Sequence, residues 1–194
     1  MKRKLYVLKV SLKGIEPEIW RRFVVPSDIT LDRLHDVIQI VMGWKDYHLH
    51  QFTIGGKRYT EYQESPEDGK DDGRYRLGNL VKRKGLSFEY IYDFGDNWNH
   101  QVTLEETNHL QGAHDEPVRL LASERACPPE DAGGVGGYAQ YCEAMKNKKH
   151  PRHKEYVQWR GPVYDSEVVN LNKINMELLK YLRWSRPRLT IWES

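Results

Sequence analysis

The stretch from Phe88 to Leu104, FEYIYDFGDNWNHQVTL, limits the fold more than any other. Phe88, Tyr90, Tyr92 and Phe94 alternate with Glu89, Ile91 and Asp93. Successive side chains of a strand point to opposite sides of a sheet, so this alternation predicts a strand with one aromatic face. After Gly95-Asp96-Asn97 it resumes, with Trp98, His100, Val102 and Leu104 set against Asn99, Gln101 and Thr103. If the two apolar sets share a face, the spacing predicts a hairpin with a three-residue loop and Phe94 opposite Trp98. A two-residue loop would pair Phe94 with Asn97 and turn the second apolar set outward. In the predicted register Tyr92 faces His100, Asp93 faces Asn99, and Asp96 lies at the tip.

The flanks supply further strands. Tyr6, Leu8, Val10 and Leu12 alternate up to Lys13-Gly14, and Ile19 to Val25 forms a second run stopped by Pro26, an antiparallel neighbour of the first. Trp20 and Arg22 share one of its faces and Arg21 and Phe23 the other, so one arginine needs an aromatic or acidic partner. Thr30 as N-cap, Leu31, Leu34, Ile38, Val41 and Met42 at helical spacing, and Gly43 just past the end predict a helix over 30–42. A strand over 47–54 turns at Gly55-Gly56 into Lys57 to Thr60, with His48, His50, Phe52 and Ile54 on one inward face. Residues 61–74 are acidic and turn-rich and predict an exposed excursion. A calcium loop there fails, because Lys70 and Asn79 would stand where carboxylates belong. Leu77 to Val81 suits one helical turn and Val118 to Leu121 a short strand, while the prolines and glycines of 126–134 forbid regular pairing. Helices are expected over about 138–146, 152–159 and 171–182.

A chain of 194 residues suits one domain, here 1–185, followed by a tail, 186–194. Lys plus Arg number 30 against 28 for Asp plus Glu, a balance that neither demands nor excludes an anionic partner. Cys127 and Cys142 are too few for a disulfide-dense secreted scaffold or a four-thiolate zinc site. Lys9 and Lys13 interrupt the first apolar run, so neither a signal peptide nor a membrane span is expected, and a cytoplasmic setting follows.

Several separated pieces carry a resemblance to a known family. They are Ile19-Trp20-Arg21-Arg22, Leu34-His35, Gly43-Trp44, and His48-Leu49-His50 with Phe52. They continue with Tyr92-Asp93-Phe94-Gly95-Asp96, Trp98 and His100, and then Cys127-Pro128-Pro129-Glu130-Asp131, Gly133-Gly134 and Gly137-Tyr138. In this order the chain resembles the plasmid pRiA4b ORF-three-like family over nearly its whole length. The family is uncharacterised and resembles passenger proteins of some mobile elements. The resemblance therefore implies a DNA-linked context and brings no mechanism.

The sharpest chemical constellation is His48, His50, Asp93, Asp96, His100, Glu130 and Asp131. Imidazoles two apart on a strand can reach one ion, and with these carboxylates they would hold a divalent transition metal such as zinc, manganese or iron. Such an ion could activate water for hydrolysis. Against this stands the reading that the histidines are hydrogen-bonded core residues and that Asp93 and Asp96 hold the hairpin loop through backbone amides. Cys127 could act as a nucleophile with His48, His50 or His100 as its base, although a solitary cysteine usually packs. Gly133 to Gly137 ahead of a helix lacks the Lys-Ser/Thr of a phosphate loop and reads as a structural loop. Lys146 to Lys154, including Lys148, Lys149 and Arg152, with Trp159 nearby, offers a nucleic-acid surface or merely a solvated face. Trp20 and Arg22 join these as binding candidates.

The expected fold is α+β, a curved antiparallel sheet of hairpins covered by the 30–42 helix and the C-terminal helices. The expected function is a non-catalytic module binding nucleic acid or protein. The alternative is a small metal-dependent hydrolase built on the His/Asp cluster.

Overall fold

The hairpin forms at the centre of the sheet. In the computed structural model, which describes residues 4–184 except 64, 66, 113, 114 and 163, β6 (Ser87–Tyr92) pairs with β7 (Trp98–Glu106). The tail expected at 186–194 lies outside the described residues. The register sets Tyr92 opposite Trp98 and Tyr90 opposite His100, so the loop has five residues, 93–97, rather than three. Asp93 and Asn97 bracket it at φ 57° and 55°. Such left-handed backbone is most open to Gly, Asn and Asp. The Asp93 carboxylate accepts from the backbone N–H of Gly95 and Asp96, and Asn97 N–H donates to the Asp93 carbonyl. Phe94 is thereby left 54% exposed in the loop and is not part of the aromatic face. The shift is by an even number of residues, so Tyr90, Tyr92, Trp98, His100 and Val102 still share the buried side.

Six further strands extend this pair: β1 (Leu5–Leu12), β2 (Ile19–Pro26), β3 (His50–Ile54), β4 (Lys57–Thr60), β5 (Lys70–Asp71) and β8 (Arg119–Glu124). Their order is β5-β4-β3-β6-β7-β1-β2-β8. All pairings are antiparallel except that of β5 with β4, so the sheet is mixed where an antiparallel one was expected. The parallel strand comes from the acidic excursion, which returns to the sheet edge and continues into a short 3-10 turn, Asp72–Arg74.

One face of the sheet is covered. Helix α1 (Leu31–Met42) buries Leu34, Val37, Ile38 and Val41 against it and ends at Gly43 with φ 95°, a left-handed closure that glycine adopts without strain. Trp44 then folds back onto Tyr92 with ring centroids 5.0 Å apart, and its indole N–H donates to the Pro128 carbonyl at 3.0 Å. After a single turn, α2 (Leu77–Leu80), the C-terminal half supplies α3 (Gly134–Lys146), α4 (His153–Arg160) and α5 (Leu171–Trp184). Asn175 on α5 accepts from the backbone N–H of Leu120 and donates to its carbonyl, which satisfies part of the β8 edge. The opposite face carries Trp20, Arg22, Lys9 and Glu105, where Arg22 pairs with Glu105 and its guanidinium lies 5.2 Å from the Trp20 ring. Among the described residues, no helix is long and apolar enough to cross a membrane.

Candidate functional site

Three segments meet where the α1–β3 link, the hairpin loop and residues 126–134 converge. The first brings His48, which lies just before β3 and outside the pleat, because the strand begins only at His50. The second brings Asp93. The third brings Glu130 and Asp131, and it is fastened at both ends. Trp44 holds Pro128, while the Asp96 carboxylate accepts from Gly133 N–H at 2.9 Å. Gly134 sits against that loop so closely that a Cβ would fall 2.6 Å from the Asp96 carbonyl oxygen.

The result is one imidazole facing three carboxylates. His48 Nε2 lies 3.0 Å from Asp131, 3.6 Å from Asp93 and 3.8 Å from Glu130. One donor atom from each of His48, Asp93 and Asp131 lies within 4.8 Å of the others, a spacing a single cation can span. Asp93 and Glu130 are buried, His48 half-buried and Asp131 exposed, so the cluster opens to solvent on the Asp131 side. Glu130 is already engaged: Lys45 N–H donates to it at 2.6 Å and the Tyr92 hydroxyl at 3.2 Å. Burial, with Glu130 adding to it, pushes the Tyr92 phenol well above its ordinary range, so it stays a donor.

Asp131 also lines a cavity of about 480 Å³ together with Gly133, Gly137, Arg152, Tyr156 and Trp159. Trp159 is 39% exposed, with the Arg160 guanidinium 4.4 Å from its ring. Arg160 also donates to the Glu130 carbonyl, tying α4 to the acidic loop. Lys148 and Lys149 are exposed between α3 and α4, and Arg152 pairs with Glu155.

The other candidates lie elsewhere. His50 is fully buried, its ring stacked on His35 at 3.5 Å, with Nε2 donating to Asp72 at 2.8 Å. His100 is fully buried, and its Nδ1 donates to the Tyr90 carbonyl at 3.2 Å. Among the described residues, His50 Nδ1 and His100 Nε2 have no hydrogen-bond partner. Asp96 is a strut of the loop rather than a member of the cluster. The Cys127 thiol is pushed far up by burial, which keeps it protonated and unsuited to attack. Trp20 and Arg22 occupy the uncovered sheet face, distinct from the α4 cavity.

The pattern of the sequence does not disclose His35 and Asp72 as partners of His50. His35 follows Leu34 on the edge of the helical stripe, yet it is wholly buried. The Tyr90 hydroxyl donates to its Nδ1 at 2.8 Å, its Nε2 donates to Asp46 at 2.7 Å, and Gln39 donates to the same hydroxyl at 2.9 Å. His35, Asp36 and Asp46 also bring donor atoms within 4.8 Å of one another, but both His35 nitrogens are engaged and Asp36 accepts from Tyr181. Burial lowers the pKa of His35 to about 4, with Asp46 opposing that shift, and burial likewise lowers His100 to about 4.

Comparison with known proteins finds relatives described as uncharacterised or of unknown function. The chain is 42% identical over 171 residues to the uncharacterized protein y4hQ of Sinorhizobium fredii (strain NBRC 101917 / NGR234), covering 87% of each. The crystal structure of a protein of unknown function, MM3350 from Methanosarcina mazei Go1, superposes with a TM-score of 0.79 at 35% identity. That match covers 89% of this chain and 98% of the other. The model of the plasmid pRiA4b ORF-3-like protein matches residues 4–173, and the chain belongs to that family.

Proposed function

We propose that this protein is a non-catalytic interaction module that binds a divalent cation through His48, Asp93 and Asp131 and uses it to hold a phosphate-bearing strand of nucleic acid. The observation that carries the reading is that Asp131 belongs both to the imidazole–carboxylate cluster and to the cavity of Arg152 and Trp159. A cation there neutralises carboxylates that would otherwise repel a phosphate, and it can share that phosphate with Arg152. Trp159 presents exposed aromatic surface for a base, and Lys148 and Lys149 extend the positive surface along the backbone path. A donor set of one imidazole and several carboxylates suits manganese or zinc.

The hydrolase alternative would use the same ion but needs a free general base beside it. Glu130, the remaining carboxylate, is occupied by Lys45 N–H and the Tyr92 hydroxyl, while His50 and His100 are buried with other partners. The test uses untagged protein. Manganese titration by calorimetry gives one site, lost in Asp131→Asn, a change the exposed left-handed position tolerates. Binding of a fluorescein-labelled single strand is strengthened by manganese, reversed by chelation, and weakened by Lys148→Glu/Lys149→Glu with a shallower salt dependence. Strand binding indifferent to chelation, or no manganese uptake, refutes the reading.

A further inference from the structure

A second cavity, of about 620 Å³, lies where the end of α1, the segment Ala126-Cys127 and the start of α5 come together, and Arg21 lines it. Arg21 is only 1% exposed, yet its acceptors are all backbone carbonyls: Val41 at 2.8 Å, Trp20 at 2.8 Å and Glu124 at 2.9 Å. Among the described residues no carboxylate pairs with it, and these bonds run from Nε and Nη1. Arg22, Arg119 and Arg125 are all more exposed, and each has a carboxylate partner, in Glu105, Asp115 and Glu167 respectively. The most deeply buried guanidinium of this group is thus the one without a counter-ion, an arrangement that favours an anion beside it.

Independent features point the same way. Asn170 caps α5, its side chain accepting from Lys173 N–H at 2.9 Å, so the positive end of a 14-residue helix opens on the cavity. Lys45 and Lys173 also line it, and the one acidic side chain there, Glu177, is engaged by Lys180 at 2.7 Å. The remaining wall is largely apolar, with Ile40, Met42, Trp44 and Ile174.

We infer that this cavity binds a small amphipathic monocarboxylate, its head group answering Arg21 and the start of α5 and its apolar body lying against Trp44 and Ile174. A monoanion fits better than phosphate, because two of the three guanidinium nitrogens are already committed to carbonyls and the wall has little other polar capacity. This inference is independent of the metal reading, since the two cavities share no residue.

Octanoate and 1-octanol, alike in chain and different in charge, are the probes, with the full chain followed by calorimetry and tryptophan fluorescence. Octanoate is expected to bind saturably at one site, at least tenfold more tightly than octanol, and to outcompete inorganic phosphate. Lys173→Glu, an exposed change that does not threaten folding, is expected to weaken octanoate about tenfold while leaving octanol and manganese binding unchanged. Ile174→Trp, which fills the cavity, is expected to abolish both lipid probes. Equal affinity for octanol, phosphate competing as strongly as octanoate, indifference to both substitutions, or no binding at all overturns the assignment.

Discussion

Lowering the pH from 7 to 5 should remove about 4 kcal/mol of folding stability through two buried histidines. His35 and His100 are both held neutral in the folded chain, with pKa values near 4 against an ordinary 6.5, and burial is the leading cause in each. For a base whose folded pKa is depressed, the stabilisation is complete above the unfolded value. It is lost as pH falls from 6.5 toward 4, because the unfolded chain takes up protons that the folded chain refuses. Each pH unit in that window costs about 1.4 kcal/mol per group, so at pH 5 each imidazole contributes about 2 kcal/mol of destabilisation. Against a typical total of about 5–15 kcal/mol, the combined loss is large enough to read directly. Glu18 and Glu105 have pKa values lowered below an ordinary 4.5, so their own loss falls on the acid side of this interval. Urea melts at pH 7, 6 and 5 should show a slope approaching two protons. His100→Gln, which keeps a donor for the Tyr90 carbonyl, should bring the slope to about one. A chain equally stable at pH 7 and pH 5 would falsify the account of neutral, buried imidazoles.

Other substitutions examine separate joints of the molecule. Tyr90→Phe strips the hydroxyl from between His35 and Gln39 and should cost about 3 kcal/mol in a denaturant melt, since two buried polar groups lose their partner. Gly137→Ala puts a methyl 2.0 Å from the Ala132 carbonyl oxygen and should destabilise by about 3 kcal/mol through forced displacement of the loop. Asp93→Asn keeps an acceptor for Gly95 and Asp96 N–H at a left-handed position and should leave the melting temperature nearly unchanged, while manganese affinity in calorimetry falls at least tenfold. Glu105→Ala, which removes the partner of Arg22 on the uncovered sheet face, should cost less than about 1 kcal/mol, and this loss should shrink in high salt.

What the sequence could disclose was parity, and what it concealed was closure. The alternation from Phe88 to Leu104 identified the buried face of both strands correctly even though the loop proved longer, because lengthening it by two residues keeps the parity of the paired residues and gives up only Phe94, which passes into the exposed loop. The same rule applied to His48 and His50 reached too far, since the pleat starts at His50 and parity has no meaning for a residue ahead of it. Asp72 shows the opposite difficulty. Its acidic, turn-rich surroundings read as solvent-exposed, yet β5 carries the excursion back to the sheet edge and leads directly to Asp72, which accepts from His50. No local pattern encodes such a return, because the favourable partner is 22 residues away. The candidate site depends on the same kind of long-range closure: Trp44 gripping Pro128 and Asp96 accepting from Gly133 are what bring Glu130 and Asp131 to His48. Asp96, a candidate ligand by composition, therefore serves the site from outside it. Removing its carboxylate should loosen the acidic loop and weaken cation binding, although Asp96 is not one of the residues whose donor atoms converge there.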